Sequence, residues 1–143
     1  MKIFNADQIR IIDDFTIINE PISSLNLVKR AARNLASEFK KTYKKGCKIA
    51  AIVGKGNNGA DAVAMSIEMI QEGYLVDVFI PKQYTVCEND NELLEGFKLN
   101  SQDRKICYID DSEWNKQLFE NYDIIIDGLL GVGLNRKVKG IES

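Results

Sequence analysis

The sequence predicts an α/β protein with a three-layer, Rossmann-like open sheet that is mainly parallel and is preceded by two helices. Three observations support this prediction. Two segments with helical spacing of apolar residues come first, strand-like and helical segments alternate after them, and the strand-like segments are short, nearly continuous apolar runs. Parallel strands that are buried on both faces produce runs of this kind.

Composition narrows the class of protein. The chain has 143 residues, of which 45% are hydrophobic and 28% charged, so we expect one globular domain over residues 1–143. It has no histidine, which excludes Ser-His and Cys-His nucleophile pairs and His-ligated metals. The three cysteines form no CxxC pair and are expected to be reduced thiols of a cytoplasmic protein. With a net charge of −2, electrostatic attraction does not favour binding to nucleic acid. No apolar run is long enough to cross a membrane, so no membrane partner is expected.

Two helices are predicted at the start of the chain. Asn5 can cap the first, with Gln8 completing a capping box. Pro21 interrupts the pattern, and Ser23 or Ser24 can cap the second helix. The apolar stripe of the second helix fades in a lysine-rich stretch that Gly46 ends.

Four strands are predicted after Gly46, at residues 48–53, 74–80, 106–109 and 122–127. Helices are expected to connect them, and Ser112 is expected to cap a short one that holds Trp114 and Leu118. The usual doubly wound strand order 3-2-1-4 makes the first and fourth strands neighbours, and ligands bind beyond the carboxyl ends of such a pair. The loops that follow those two strands, residues 54–61 and 127–134, are both rich in glycine and polar residues. The topology therefore predicts one site between them.

The first loop matches a dinucleotide fingerprint, with glycines at positions 54, 56 and 59 between a strand and a helix. The second strand lacks the acid that usually binds ribose, and Asp77 lies in its first half. Asp61, expected in the first turn of the helix, would repel a phosphate there, so a hydroxyl, an amide or a cation is favoured. Equally, Asn57, Asn58 and Asp61 could act only as local turn and helix-capping residues.

The second loop begins at Asp127, which closes an apolar strand, while Gly131 and Gly133 permit close approach of the backbone to a ligand. A simple strand-ending turn is the alternative. Asn58 and Asp127 together offer hard oxygen donors that suit K⁺ or Na⁺ better than zinc, although two donors need help from backbone carbonyls or water. Three basic residues downstream could clamp phosphates or could be a solvated surface run: Arg136, Lys137 and Lys139.

With both loops considered, the chain resembles the YjeF N-terminal domain family of NAD(P)H-hydrate epimerases. Residues 54–61 are similar to that family's GxGNNGGDG motif, and residues 127–134 to its DxLxGTGL motif. The start, with Asp13-x-x-Thr16-Ile17 and Arg30-Ala31-Ala32, resembles its leading helices.

The resemblance implies an isomerase that interconverts the R and S epimers of hydrated NADH and NADPH, with K⁺ held by Asn58 and Asp127. It also implies a homodimer and a fused or separate dehydratase as partner. The residues that would contact the hydrated nucleotide are Asn57, Asn58, Gly59, Ala60, Asp61, Gly131, Val132, Gly133, Leu134, Asn135, Arg136 and Lys137.

The sequence departs from the family pattern in two ways. Ala60 and Ala62 replace glycines, and residue 143 precedes the family's DxPSG loop, which would supply the expected catalytic Asp and a Ser for the cation. We therefore expect an incomplete domain, a fourth strand with a bare apolar edge, and weak or no catalysis by the isolated chain.

Two other functions remain open from the sequence. The same fold resembles the domain of enhancer-of-mRNA-decapping proteins, a non-catalytic dimeric scaffold that acts near RNA. A nicotinamide-dependent oxidoreductase is the second alternative, and the missing ribose acid together with Asp61 argues against it.

Overall fold

A four-stranded parallel sheet forms the centre of the molecule. The computed structural model describes residues 4–84, 88–101 and 103–131. The strand order is β3-β2-β1-β4, which confirms the α/β fold and the order predicted from the sequence. The strands are β1 (Lys48–Val53), β2 (Leu75–Pro81), β3 (Ile106–Ile109) and β4 (Ile124–Gly128).

The strand pairing shows which side chains lie on each of the two faces of the sheet. Ile52 lies between Phe79 of β2 and Asp127 of β4, so these three side chains project from the same face. The alternate residues of each strand, such as Val53 and Val78, belong to the hydrophobic core on the other face. Asp127 therefore faces away from the core, at the carboxyl end of β4.

The four α-helices are α1 (Ala6–Asn19), α2 (Ser24–Thr42), α3 (Asn57–Gln71) and α4 (Glu88–Asn100). The capping box of Asn5 and Gln8 at α1 is confirmed, and Ser23 caps α2 by accepting a hydrogen bond from the amide of Asn26. No described helix has both the length and the apolar character needed to cross a membrane.

Two local predictions were wrong. The helix α3 begins at Asn57, so residues 57–59 form its first turn and do not belong to a loop. Ser112 does not cap a helix, because the connection from β3 to β4 contains two short 3₁₀ segments, Asp111–Glu113 and Lys116–Phe119. Asp110 and Asn115 precede them, and the side chain of Asn115 caps the second through the amides of residues 117 and 118. An Asp or Asn residue directly before each segment favoured two short turns over one helix.

The core lies between the sheet and the helices α2, α3 and α4, with α3 in the middle. Its largest fully buried side chains include Phe97, Ile49 and Met69. On the opposite face, Phe79 packs edge to face against Phe119 and Tyr122 of the β3–β4 connection. This arrangement leaves the carboxyl ends of β1 and β4 free to carry the two glycine-rich segments.

Candidate functional site

The segments that follow β1 and β4 lie side by side. The amide of Gly54 donates to the carbonyl of Gly128 at 2.9 Å, which extends the ladder between β1 and β4 by one bond beyond Val53. The two segments thus leave the sheet together, as the strand order predicts.

Asn58 joins α3 to the segment after β4. Its Nδ2 donates to the carbonyl oxygen of Leu130 at 2.7 Å, across 72 positions of sequence. The backbone of Gly131 lies close enough that an added Cβ would be 3.2 Å from the Cβ of Asn58. The structure therefore brings Asn58 to the segment that Asp127 begins, as the proposed single site requires.

Close backbone contacts fix the relative position of the two segments. A Cβ on Gly54 would lie 2.1 Å from the carbonyl oxygen of Leu129, and one on Gly59 would lie 2.0 Å from that of Gly54. A Cβ on Gly128 would meet the Cβ of Ala62 at 2.6 Å. Because these three glycines have no side chain, the two segments and the helix α3 touch one another directly. The glycines therefore serve contacts between parts of the protein in this structure.

The N-terminus of α3 opens on the same region. Gly56 precedes the helix with a φ of +86°, a conformation that favours glycine, and among the described residues no side-chain hydrogen bond caps the helix there. Within that part of the chain, the first amides of α3 and the positive end of its dipole are thus not neutralised by a capping side chain. Gly59 and Ala60 of this turn are buried, whereas Asn57 is exposed.

Asp61 lies one turn further into the helix than the sequence suggested. It is the fifth residue of α3, in the second turn, because the helix starts at Asn57. Burial, and after it the negative charge of Asp13 on α1, raises the pKa of the Asp61 carboxyl to about 6. An aspartate that keeps its proton close to neutral pH can donate it, which is the property required of a general acid.

Asp127 is exposed at the end of β4, and its Oδ1 accepts a hydrogen bond from the amide of Leu129 at 3.0 Å. This is the strand-ending turn that the sequence allowed, and it still leaves the second carboxylate oxygen to the solvent side. Since Asn58 donates through its nitrogen, its amide oxygen can serve as a ligand. Hard oxygens of this kind fit an alkali cation, and backbone carbonyls would have to complete the set. The roles of Asn58 and Asp127 in holding K⁺ stay predictions.

Some of the remaining predicted site residues lie in the described part of the chain and the others do not. Residues 57–61 and Gly131 lie around the contact between α3 and the segment after β4. Val132, Gly133, Leu134, Asn135, Arg136, Lys137 and Lys139 lie outside the described residues, as does Cys87. Cys47 and Cys107 are free thiols.

Sequence reasoning assigned no role to two residues of this region, although both lie in stretches that resemble the family. Gly128 allows α3 to approach β4, and Asp13 raises the pKa of Asp61. A signal existed for Asp13, which is a carboxylate in a stretch of α1 dominated by isoleucine and phenylalanine. For Gly128 the second motif indicated the position and not the role, since the contact with Ala62 appears only when α3 lies across β4.

The fold and these contacts define an α/β protein in which two glycine-rich segments meet at the carboxyl ends of β1 and β4, the place where folds with this strand order bind ligands. Residues 24–143 match the family model described as YjeF-related protein N-terminus. The chain belongs to this family.

Curated relatives carry related names. An NAD(P)H-hydrate epimerase of Anaerococcus prevotii is 31% identical over 145 residues, covering 100% of this chain and 66% of the relative. A Bifunctional NAD(P)H-hydrate repair enzyme Nnr of Dictyoglomus turgidum is 27% identical over 144 residues, covering 96% of this chain and 26% of the relative. The chain thus spans at most about two thirds of the length of these relatives.

A solved structure supports the fold. The crystal structure of yeast ynu0, YNL200c, superposes with a TM-score of 0.78 at 20% identity, over 97% of this chain and 60% of that protein.

Proposed function

We propose that this chain is the nucleotide-binding part of an NAD(P)H-hydrate epimerase, which interconverts the R and S epimers of hydrated NADH and NADPH. One observation supports the proposal above all: the Asn58 side-chain amide donates to the carbonyl of Leu130, so the two predicted site segments are in contact. Family membership and the names of the relatives support it.

The chemistry suits a site without histidine. The hydrated ring carbon bears a hydroxyl beside a ring nitrogen. Protonation of that hydroxyl releases water and leaves an iminium-like ring, and water that returns to the other face gives the opposite epimer. Such a reaction needs a well-placed carboxylic acid and no nucleophile. Incubation of the R epimer in isotopically labelled water checks this route, because it requires label in the S product.

Two features of this region suit a hydrated nucleotide. Among the described residues no side chain caps the first amides of α3, which can therefore donate to a hydroxyl or amide oxygen, while Asp61 lies one turn behind them. Asp77, the nearest candidate for a ribose acid, is already bound to the Tyr122 hydroxyl and to the amide of Lys105, both at 2.8 Å. The Asp77 carboxylate therefore already has hydrogen-bond partners within the fold and is not free to bind a ribose, which argues against the oxidoreductase alternative.

We include three partners in the proposal: K⁺, a second copy of the chain, and a dehydratase activity that is fused or separate. Relatives named as bifunctional repair enzymes support the last of these. Exposed apolar side chains along α1 support self-association, which sedimentation of the purified chain tests.

The central experiment is calorimetric titration of the full chain with hydrated NADH, hydrated NADPH and a single-stranded RNA, each with K⁺ and with a large organic cation in its place. We expect binding of the hydrated nucleotides alone, strengthened by K⁺. Asn58→Ala should weaken that binding at least tenfold, about 1.4 kcal/mol, and remove the K⁺ effect.

Asn100→Ala is the matched control, because Asn100 also donates through Nδ2 to a backbone carbonyl, that of Gly96, on the exposed side of α4. It should bind like the unaltered chain. Tight RNA binding would favour the scaffold alternative, and equal losses in both variants would show that the Asn58 effect is not specific to the site.

A further inference from the structure

The helix α3 meets the end of β4 through one small side chain, the methyl group of Ala62. Gly128, the last residue of β4, is buried, and a Cβ added to it would lie 2.6 Å from the Cβ of Ala62. The same added Cβ would lie 2.8 Å from the carbonyl oxygen of Ile52. The Ala62 methyl group is only 5% exposed and therefore fills the space that a side chain at position 128 would need.

Asn58 lies on the same side of α3 as Ala62, because the two residues are four positions apart. The carbonyl oxygen of Asn58 would be 3.2 Å from a Cβ on Gly128, and its side-chain amide donates to the carbonyl of Leu130 at 2.7 Å. Backbone hydrogen bonds make one turn of helix nearly rigid. A change in the spacing between Ala62 and Gly128 must therefore also move Asn58 relative to the segment after β4.

The sheet side of this contact is held in place. Gly128 pairs with Val53 of β1, and its carbonyl accepts a hydrogen bond from the amide of Gly54 at 2.9 Å. On the helix, the next turn is also small, since the buried Ser66 donates its hydroxyl back to the carbonyl of Ala62 at 2.7 Å. At this end of α3, the approach of the helix to β4 is thus limited by the methyl group at position 62.

Position 62 is also one at which this chain departs from the motif that it resembles. The GxGNNGGDG motif has glycine where this chain has Ala62. A glycine would lack the methyl group that meets Gly128, so this contact belongs to the present chain and not to the motif. An alanine at position 62 can therefore alter the site while the residues that offer ligand atoms stay the same.

We propose that Ala62 and Gly128 are positioning residues that hold Asn58 against the segment after β4, and that their contact makes nucleotide binding discriminate between K⁺ and Na⁺. The inference rests on the proposed function. Asp127 directly precedes Gly128, so the contact also sets the distance between the two residues expected to offer oxygen donors, Asn58 and Asp127. Selectivity between cations of equal charge depends on the size and the rigidity of the site. A fixed spacing favours the cation that fits it, and a loose spacing accepts both.

The first measurement needs no ligand. Ala62→Gly removes the methyl group. Ala64→Gly is the matched control, because it makes the same change at a buried position of α3 that points to another side of the helix. Both variants should lose comparable stability, since glycine lowers helix propensity in each. The side-chain amide protons of Asn58, followed by NMR, should exchange with water at least about tenfold faster in Ala62→Gly than in Ala64→Gly.

The second measurement is calorimetric titration of the full chain and of both variants with hydrated NADH and hydrated NADPH, in K⁺ or in Na⁺. The unaltered chain and Ala64→Gly should bind with a lower Kd in K⁺. In Ala62→Gly, the ratio of the Kd values in Na⁺ and K⁺ should fall toward one, because the two donors are no longer held at one spacing.

Equal exchange rates of the Asn58 amide in the two variants would overturn the inference. An unchanged Kd ratio in Ala62→Gly would do the same, as would equal Kd values in K⁺ and Na⁺ for the unaltered chain. If the unaltered chain binds neither hydrated nucleotide, the proposed function is overturned, and the cation preference with it. The exchange rates then decide the positioning role of Ala62 by themselves.

Discussion

The aspartates at the two ends of the sheet differ in their hydrogen bonding. At the amino ends of the strands, Asp123 accepts a hydrogen bond from the amide of Lys48 and returns one to its carbonyl, both at 2.8 Å. Nearby, Asp77 binds the Tyr122 hydroxyl and the amide of Lys105. At the carboxyl ends, Asp127 is exposed with one local bond, and Asp61 has a raised pKa beside another carboxylate.

This difference separates structural polar groups from candidate functional ones. Carboxylates at the amino end join strands that are distant in sequence, so their hydrogen bonds stabilise the fold. Those at the carboxyl end lie where glycines bring two segments together, and among the described residues they leave hydrogen-bonding capacity unused. A site that must receive a ligand needs this spare capacity, which a fold optimised only for stability would remove.

The largest effect should come from Gly54→Ala, at the carboxyl end. The new methyl group would lie 2.1 Å from the carbonyl oxygen of Leu129, a backbone atom that can move only by separating the two segments. We expect a loss of about 3–5 kcal/mol in the free energy of unfolding, measured by denaturant titration.

Gly96→Ala provides the comparison. Its added methyl group would meet Ile67 Cδ1 at an ordinary 3.5 Å inside α4, where alanine favours helix formation. That variant should be within about 1 kcal/mol of the unaltered chain. Similar stabilities for the two variants would show that the contact of Gly54 with Leu129 is not tight in solution.

A smaller effect is expected at the amino end from Tyr122→Phe. Burial raises the pKa of the Tyr122 hydroxyl, and so does its hydrogen bond to Asp77, because only the protonated phenol can donate to that carboxylate. Removing this hydroxyl should cost about 1–2 kcal/mol of folding free energy and leave nucleotide binding unchanged. Tyr108→Phe, at an exposed position of β3, should change neither. Loss of nucleotide binding in Tyr122→Phe would contradict a purely structural role for the amino end.

The smallest effect should be a gain in stability from Asp61→Asn. The folded protein binds the Asp61 proton more tightly than the unfolded chain, with a pKa of about 6 against 3.8. Its contribution to stability is therefore greatest below pH 3.8 and falls as the pH rises through 6. A neutral amide avoids this cost, so Asp61→Asn should be more stable by about 1 kcal/mol at pH 7–8, after allowance for solvent screening, and equal at pH 4.

Urea titration of Asp61→Asn and of the control Asp14→Asn at both pH values measures this difference. An equal effect of Asp61→Asn at pH 4 and pH 8 would mean that the charge of Asp61 is not its cause.

Much of the fold follows from local sequence patterns. The apolar runs predicted four strands, the helical stripes predicted α3 and α4 between the first three of them, and the parallel arrangement left 3-2-1-4 as the expected order, which is confirmed. The wrong predictions concern short stretches in which a turn and a helix were both compatible with the sequence. Asn57 to Gly59 joined α3, while Asn115 split the β3–β4 connection into two 3₁₀ segments.

The site was predicted less completely. Both segments were identified because strand order and glycine content pointed to the same place. The spacing of residues could not show that Asn58 binds the carbonyl of Leu130, or that burial and the negative charge of Asp13 raise the pKa of Asp61.

The amino-acid sequence by itself determined the order of helices and strands and the two segments that meet at the carboxyl ends of β1 and β4. Hydrophobic period and turn preference are local properties, so they can be read from neighbouring residues. Only the tertiary structure decided which aspartates hold strands together and which keep a proton near neutral pH. Those properties depend on burial and on partners such as Asp13 for Asp61, which the chain brings together from separate helices.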